Sequence, residues 1–199
     1  MRPDIFELSH RAKDLGLYTG LSTNGTLITE DNIDAIADAG YDYVGISIDG
    51  LEETHDQIRQ RRGAFRESMA AVRLCKERGI KTELVIWQVP LWMNGGEEYD
   101  DFNKLPPDNQ AVYDMVRATV EWFGEDVDYY GIFHEANHPK YWDGSWDELL
   151  DLLGLPATRA IRDYGEETGD TKIVSTAGLS PSRDCKEWYD VQLESPELM

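Results

Sequence analysis

The sequence predicts an α/β fold made of parallel βα units, a partial or truncated TIM-type barrel. Five short β-rich segments alternate with segments whose apolar residues follow helical spacing, and glycines mark the helix ends. Strands joined through helices of roughly ten to twenty residues run parallel by crossover connections. A closed barrel of this type has eight strands. Five strands therefore predict a barrel that is incomplete in this chain.

The first predicted helix has apolar residues at helical spacing, including Ile5, Leu8 and Leu15, and ends at Gly16. The second passes through Ile33 and ends at Gly40. Three later helices are predicted: one over residues 64–78, one with its apolar face over residues 112–120, and one over residues 149–164. The predicted strands between them are residues 17–21, 43–48, 82–87, 127–133 and 172–176.

The longest irregular stretch covers residues 90–109 and contains Gly95-Gly96 and Pro106-Pro107. It follows the predicted end of a strand. Parallel α/β folds carry their ligand-binding loops at that edge of the sheet. We therefore expect this segment to belong to a ligand site.

Charge limits the partners, because 39 acidic against 19 basic residues give a formal net charge of −20. Such a chain repels nucleic-acid backbones and anionic membranes. No run reaches the roughly 18 apolar residues of a membrane span, and residues 1–4 do not resemble a signal peptide. We expect a cytoplasmic protein that binds neither nucleic acid nor membrane.

Two cysteines are present, Cys75 and Cys185, and they are far apart in the sequence. Neither belongs to a short-spaced pair of the kind that holds a metal or a cluster. Cys75 lies on the apolar face of the helix predicted over 64–78, which is typical of a packing residue.

Several short motifs in the first 80 residues have a family resemblance. Residues 2–6 read Arg-Pro-Asp-Ile-Phe, residues 22–26 Ser-Thr-Asn-Gly-Thr, and residues 45–50 Gly-Ile-Ser-Ile-Asp-Gly. These motifs resemble the middle of radical S-adenosylmethionine (SAM) enzymes, of the type that acts in haem d1 biosynthesis or peptide maturation. The resemblance implies that the cofactor is contacted by strand-end residues, namely Ser22, Thr23, Asn24 and Ser47.

A purely structural alternative remains for these motifs. Asn24-Gly25 and Asp49-Gly50 are dipeptides that commonly form turns after strands. The family also holds a [4Fe–4S] cluster with a three-cysteine motif that this sequence does not contain, and such clusters require thiolates. The expectation is no cofactor as the chain stands, and SAM with [4Fe–4S] only if an upstream segment is missing.

The motifs after residue 80 resemble a different family. The strand over 84–87 with the loop to residue 96, and residues 132–142, resemble the third and fourth strand ends of retaining (β/α)₈ glycoside hydrolases. The resemblance makes Glu135 the general acid/base. It also implies sugar-binding residues at the barrel mouth: Trp87, Trp92, His134, Asn137, Tyr141 and Trp142. Retaining hydrolysis needs two carboxylates, and one is identifiable.

Residues 134–138 also match the His-Glu-x-x-His zinc pattern. That chemistry needs both histidines on one face of a helix. A β-rich run precedes His134 and Pro139 follows His138, so no regular helix is expected here. The sequence therefore predicts no metal site.

Three hypotheses remain open: a fragment of a radical SAM enzyme that is inactive alone, a glycosidase-like barrel segment, and a recombined or engineered scaffold without activity. Residues 1–80 and 81–199 would be the two halves of one continuous structural unit. A small molecule or sugar is expected at the strand C-terminal ends. Unpaired sheet edges favour self-association.

Overall fold

The computed structural model describes residues 2–86, 89–97, 103–132, 135 and 141–176. Its strands are β1 (Gly20–Thr23), β2 (Tyr43–Ile46), β3 (Thr82–Ile86), β4 (Tyr129–Ile132) and β5 (Ile173–Thr176). Its α-helices are α1 (Ile5–Asp14), α2 (Ile33–Asp38), α3 (Glu52–Ile58), α4 (Ala64–Glu77), α5 (Leu91–Asn94), α6 (Asn109–Phe123), α7 (Trp146–Leu149) and α8 (Leu155–Thr168).

The five strands form one parallel sheet in the order β1-β2-β3-β4-β5. A strand order that follows the chain order is what successive βα units produce. The predicted fold class is therefore confirmed. Within the described ranges, no helix combines the length and the apolar character needed to cross a bilayer.

The first strand begins later than predicted, at Gly20 rather than at residue 17. Its pairing with β2 begins at Gly20 and Tyr43. Leu17 and Tyr18 precede that pairing and are 54% and 76% exposed. Their β-forming side chains suggested a strand, but no strand among the described residues pairs with this stretch of the chain.

Two compact units divide the chain. Unit 1 comprises residues 1–84 with 126–129, and unit 2 comprises residues 85–125 with 130–199. In unit 1, Val44 and Ile46 of β2 are buried, as are Val72 and Cys75 on one face of α4. This apolar layer is the core of unit 1 and explains the helical spacing seen over residues 64–78.

Asp128 attaches the short segment 126–129 to the rest of unit 1. Its carboxylate accepts a hydrogen bond from Lys76 Nζ on α4 at 2.9 Å and one from the Thr82 backbone N–H of β3 at 3.3 Å. Thr82 Oγ1 donates to the Asp126 carbonyl at 3.0 Å. Polar contacts from two elements thus fix the approach to β4.

Unit 2 is built around the pairing of α6 and α8. Val112, Val116 and Val120 line one face of α6, and Ala160 and Ile161 lie on α8; all are fully buried. At the periphery, Tyr113 Oη donates to Asp163 Oδ2 at 2.7 Å, and Arg117 forms an ion pair with Glu167. Before α8, residues Leu150–Gly154 form a π-helical turn.

Candidate functional site

Pairing between β1 and β2 brings the four predicted cofactor residues of unit 1 together. Ser22 lies opposite Gly45, and Thr23 lies opposite Ile46. The Ser47 backbone N–H continues the ladder by donating to the Thr23 carbonyl at 3.0 Å. Ser22, Thr23, Asn24 and Ser47 therefore share one edge, which we call the strand-end site.

The four side chains differ in what they can offer a ligand. Thr23 Oγ1 accepts from the Gly25 backbone N–H at 3.1 Å. Asn24 Oδ1 accepts from the Thr26 backbone N–H at 3.1 Å and from Thr26 Oγ1 at 3.0 Å. These two oxygens stabilise the turn, as the structural alternative expected.

Ser22 and Ser47 are both exposed. Within the described part of the chain, neither hydroxyl makes a hydrogen bond to protein. A serine hydroxyl is one donor and two acceptor positions. At the strand-end site the groups open to a ligand are thus the two serine hydroxyls.

Gly45 lies across from Ser22 in the register. A Cβ placed on Gly45 would lie 3.9 Å from Ser22 Oγ and 3.7 Å from the Tyr43 ring. Because Gly45 carries no side chain, the strand surface beside the serine hydroxyl is bare backbone. Glycine within a strand often marks a place where a ligand approaches closely.

The Asp49 carboxylate near the site is already paired with Arg59. Asp49, two residues after Ser47, accepts from Arg59 Nε at 2.5 Å and from Arg59 Nη2 at 3.0 Å. Its backbone N–H donates to His55 Nδ1 at 3.0 Å. Asp49 is therefore a structural anchor of the loop rather than an open carboxylate.

Sequence reasoning missed Arg59, His55 and Ser68 as residues that shape the site. Arg59 lies among the polar and basic residues 59–62, a stretch that gives no signal of its own. Ser68, by contrast, is a small polar residue on the apolar face of α4, fully buried, and its Oγ donates to the Asn24 carbonyl at 2.7 Å. A polar residue at such a position was the available signal.

The predicted sugar-binding residues belong to unit 2. Trp92 on α5 is 75% exposed, and Tyr141 is partly exposed. Trp142 is only 1% exposed, and its Nε1–H donates to the Ser145 carbonyl at 3.0 Å. An aromatic ring buried to this degree packs against protein, so a stacking surface among the described residues would consist of Trp92 and Tyr141.

Glu135 is partly exposed and has a φ of 53°. A non-glycine residue in the left-handed region is uncommon and is found preferentially at functional sites. Trp87, His134 and Asn137 lie outside the described residues. The binding roles expected of these three residues stay predictions.

The residues present do not fit a [4Fe–4S] cluster. Within residues 2–86, 89–97, 103–132, 135 and 141–176, no group of three His, Cys, Asp or Glu side chains could hold a metal ion. Cys75 is fully buried, and burial raises the pKa of its thiol to about 11. A cluster requires several thiolates at one place.

We predict that Cys75 resists alkylation in the folded protein. A thiol with a pKa of about 11 is almost entirely protonated at pH 8, so iodoacetamide should react roughly 100-fold more slowly than with the unfolded chain. The measurement is mass spectrometry of a Cys185→Ser variant with and without guanidinium. Equal rates in both states would contradict the burial of Cys75.

Comparison with known proteins identifies similarities in both halves. Residues 1–103 match the family model of the Radical SAM superfamily. Pre-heme d1 synthase of Dinoroseobacter shibae is 48% identical over 84 residues, which cover 42% of this chain and 21% of that protein. The chain thus spans about a fifth of the length of this relative.

Two solved structures share the fold. SuiB of Streptococcus suis has a TM-score of 0.54 at 16% identity, over 88% of this chain and 36% of that chain. A glycoside hydrolase family 30 subfamily 8 xylanase of Clostridium acetobutylicum has a TM-score of 0.56 at 16% identity, over 90% and 46%. At such identities the likeness is one of fold. The radical SAM resemblance drawn from the sequence is confirmed, and the glycoside hydrolase resemblance is supported at the level of the fold.

Proposed function

The chain belongs to the radical SAM superfamily, and from that premise we propose that its strand-end site binds the nucleoside part of S-adenosylmethionine without cleaving it. The observation that carries the proposal is the pair of exposed hydroxyls, Ser22 and Ser47, at the C-terminal ends of two paired parallel strands. That edge is where barrels of parallel strands bind ligands.

The chemistry of the site suits a ribose. Ribose hydroxyls can both donate to and accept from serine hydroxyls, and the bare backbone at Gly45 lets the sugar lie close to the strands. Asp49 is occupied by Arg59, so no open carboxylate of this loop competes for the ligand. Thr23 and Asn24 would support the turn on which the ligand rests.

Cleavage of S-adenosylmethionine needs an electron from an iron–sulfur cluster, and this chain offers no set of thiolates for one. We therefore propose that the chain is a fragment of a larger catalytic unit and is inactive alone. Its span of about a fifth of a curated relative is consistent with that proposal.

The test is calorimetric titration of the purified chain with S-adenosylhomocysteine. Replacing both Ser22 and Ser47 by alanine removes two neutral hydrogen bonds, so we expect the affinity to fall about tenfold. Thr29→Ala, which removes an exposed hydroxyl from the loop after β1, is the matched control and should leave the affinity unchanged.

An unchanged affinity in the double variant, or no binding by the wild-type chain, would refute this function. After anaerobic incubation with iron, sulfide and reductant, we expect no release of deoxyadenosine from S-adenosylmethionine. A chain that folds cooperatively and binds no ligand would support the recombined-scaffold hypothesis instead.

A second candidate function rests on Glu135. Its left-handed backbone conformation, three residues after the end of β4, is the kind of local strain that proteins tolerate at functional sites. We propose Glu135 as a general acid/base toward a glycoside. Hydrolysis of aryl glycosides by the wild-type chain should be abolished in Glu135→Gln. Turnover that survives the substitution would remove Glu135 from the role.

We also propose a cytoplasmic location and self-association through the terminal strands of the sheet. β1 and β5 end the strand order, so each leaves one edge without a neighbouring strand of the described sheet. Light scattering at micromolar concentration should detect a dimer or larger species. A monodisperse monomer would contradict this part of the proposal.

A further inference from the structure

Both strand ends of the strand-end site are attached to the same pair of helices in unit 1, α3 and α4. The attachment at β1 is made by Ser68 of α4, whose Oγ donates to the Asn24 carbonyl at 2.7 Å. The next residue, Gly25, packs directly on α4, where an added Cβ would lie 3.2 Å from Ser68 Cα. The turn after β1 therefore rests on the first half of α4.

The attachment at β2 is made by α3. Arg59, which directly follows α3, donates two hydrogen bonds to the Asp49 carboxylate, at 2.5 and 3.0 Å. His55, within α3, is fully buried and accepts from the Asp49 backbone N–H at 3.0 Å. Both contacts fix the loop that begins with Ser47.

Asp56 connects the two helices. Its carboxylate accepts from the Gly63 backbone N–H at 2.5 Å and from the Phe65 backbone N–H at 2.9 Å, at the start of α4. Carboxylates are favourable partners for the unpaired N–H groups of a helix N-terminus. The Phe65 ring also packs edge-on against the imidazole of His55, with centroids 5.9 Å apart.

A continuous set of contacts thus runs from Ser47 through Asp49 and Arg59 to α3, then through Asp56 to α4, and through Ser68 to Asn24. The two strand ends are also joined by the ladder between β1 and β2, which the hydrogen bond from the Ser47 N–H to the Thr23 carbonyl continues. Two hydroxyls can bind one ligand together only while the spacing between their strand ends is constant.

We propose that Arg59 and Ser68 are positioning residues of the strand-end site, which hold the two strand ends that carry Ser47 and Ser22 at the spacing that the ligand needs. The inference rests on the proposed function, because it assigns these residues to the binding of the same nucleoside. Neither residue contacts the ligand; each acts through the strand end that it holds.

The first measurement needs no ligand. Hydrogen exchange of the Ser47 amide reports the bond to the Thr23 carbonyl that links the two strand ends. We expect exchange of the Ser47 amide to be about tenfold faster in Arg59→Ala and in Ser68→Ala. In the wild-type chain, local opening must break the charge-assisted hydrogen bonds of Arg59 or the buried hydrogen bond of Ser68, and each variant removes one of these costs. Arg59→Lys keeps the positive charge and should recover part of the protection.

The matched control is Arg61→Ala. Arg61 pairs with Glu67 at 2.8 Å, but its side chain is 54% exposed, and exposed pairs contribute little. Hydrogen exchange of the Ser47 amide in Arg61→Ala should equal that in the wild-type chain. Global stability is followed by circular dichroism in every variant, so that faster exchange at Ser47 alone is separated from general unfolding.

The second measurement is the affinity for S-adenosylhomocysteine, which should fall about tenfold in Arg59→Ala and recover in part in Arg59→Lys. A wild-type chain that does not bind refutes the proposed function, and with it any positioning role. A wild-type chain that binds, with Arg59→Ala and Ser68→Ala binding equally well and protecting Ser47 equally well, refutes the positioning role alone.

Discussion

Replacing Trp142 by alanine is expected to lower the free energy of unfolding of unit 2 by about 3–5 kcal/mol, the usual cost of removing a buried aromatic side chain. The ring is 1% exposed. It lies against Gly144, where an added Cβ would be only 2.8 Å away, and its Nε1–H donates to the Ser145 carbonyl at 3.0 Å. Alanine would leave a cavity and remove one of the two hydrogen bonds that the Ser145 carbonyl accepts, the other coming from the Leu149 backbone N–H.

Guanidinium unfolding followed by tryptophan fluorescence measures this loss. All six tryptophans of the sequence belong to unit 2, so the signal reports that unit. Trp92→Ala is the matched control: Trp92 is 75% exposed, and its removal should change stability by no more than about 0.5 kcal/mol. Similar midpoints for the two variants would contradict the burial of Trp142.

The variants Trp92→Ala and Trp142→Ala also distinguish a loss of ligand binding from a loss of stability. If Trp92 stacks on a ligand, Trp92→Ala weakens ligand binding while the unfolding midpoint stays constant. Trp142→Ala should show the opposite pattern, since its effect comes from packing within unit 2. The two tryptophans therefore distinguish a stacking surface from a buried support.

Replacing Gly25 by alanine is expected to destabilise unit 1 by about 2–5 kcal/mol. The φ of Gly25 is +79°, a conformation that costs an L-residue roughly 1–2 kcal/mol. The new Cβ would also meet Ile46 Cγ2 at 3.0 Å, Ser68 Cα at 3.2 Å and Ala71 Cβ at 3.3 Å. Overpacking of this kind adds roughly 1–3 kcal/mol.

Gly63→Ala is the control for Gly25→Ala. Gly63 has a φ of +87°, but an added Cβ would have no atom within 4 Å. Its substitution should therefore show only the backbone cost, about 1–2 kcal/mol. Because unit 1 contains no tryptophan, far-UV circular dichroism follows its unfolding. Equal losses in both variants would show that α4 does not press on the turn after β1.

Local patterns predicted the arrangement of elements well. Helical spacing and glycine stops located α1, α2 and α4, and four of the five strands begin within two residues of their predicted starts. These signals are short-range, since they depend on which residues of one helix or strand face the core. Strand β1 was placed too early because pairing with β2, rather than β propensity, decides where it begins.

The juxtaposition of the two strand-end motifs was predictable for the same reason. The ends of neighbouring parallel strands meet at one edge, so the motifs at residues 22–26 and 45–50 had to meet there. Which side chains would support the turn and which would remain open to a ligand was not predictable. Thr23 and Asn24 direct their side-chain oxygens to the turn, while Ser22 and Ser47 remain open, and this depends on the backbone of the turn itself.

By itself, the sequence determined the order of βα units, the resemblance to radical SAM enzymes and the lack of a thiolate set. Only the tertiary structure decided that Trp142 is buried, that Asp49 is held by Arg59 and that Ser68 holds the turn after β1. Periodicity and composition are properties of neighbouring residues. The partner of a side chain is selected among residues far away in the chain, and the fold alone brings them into contact.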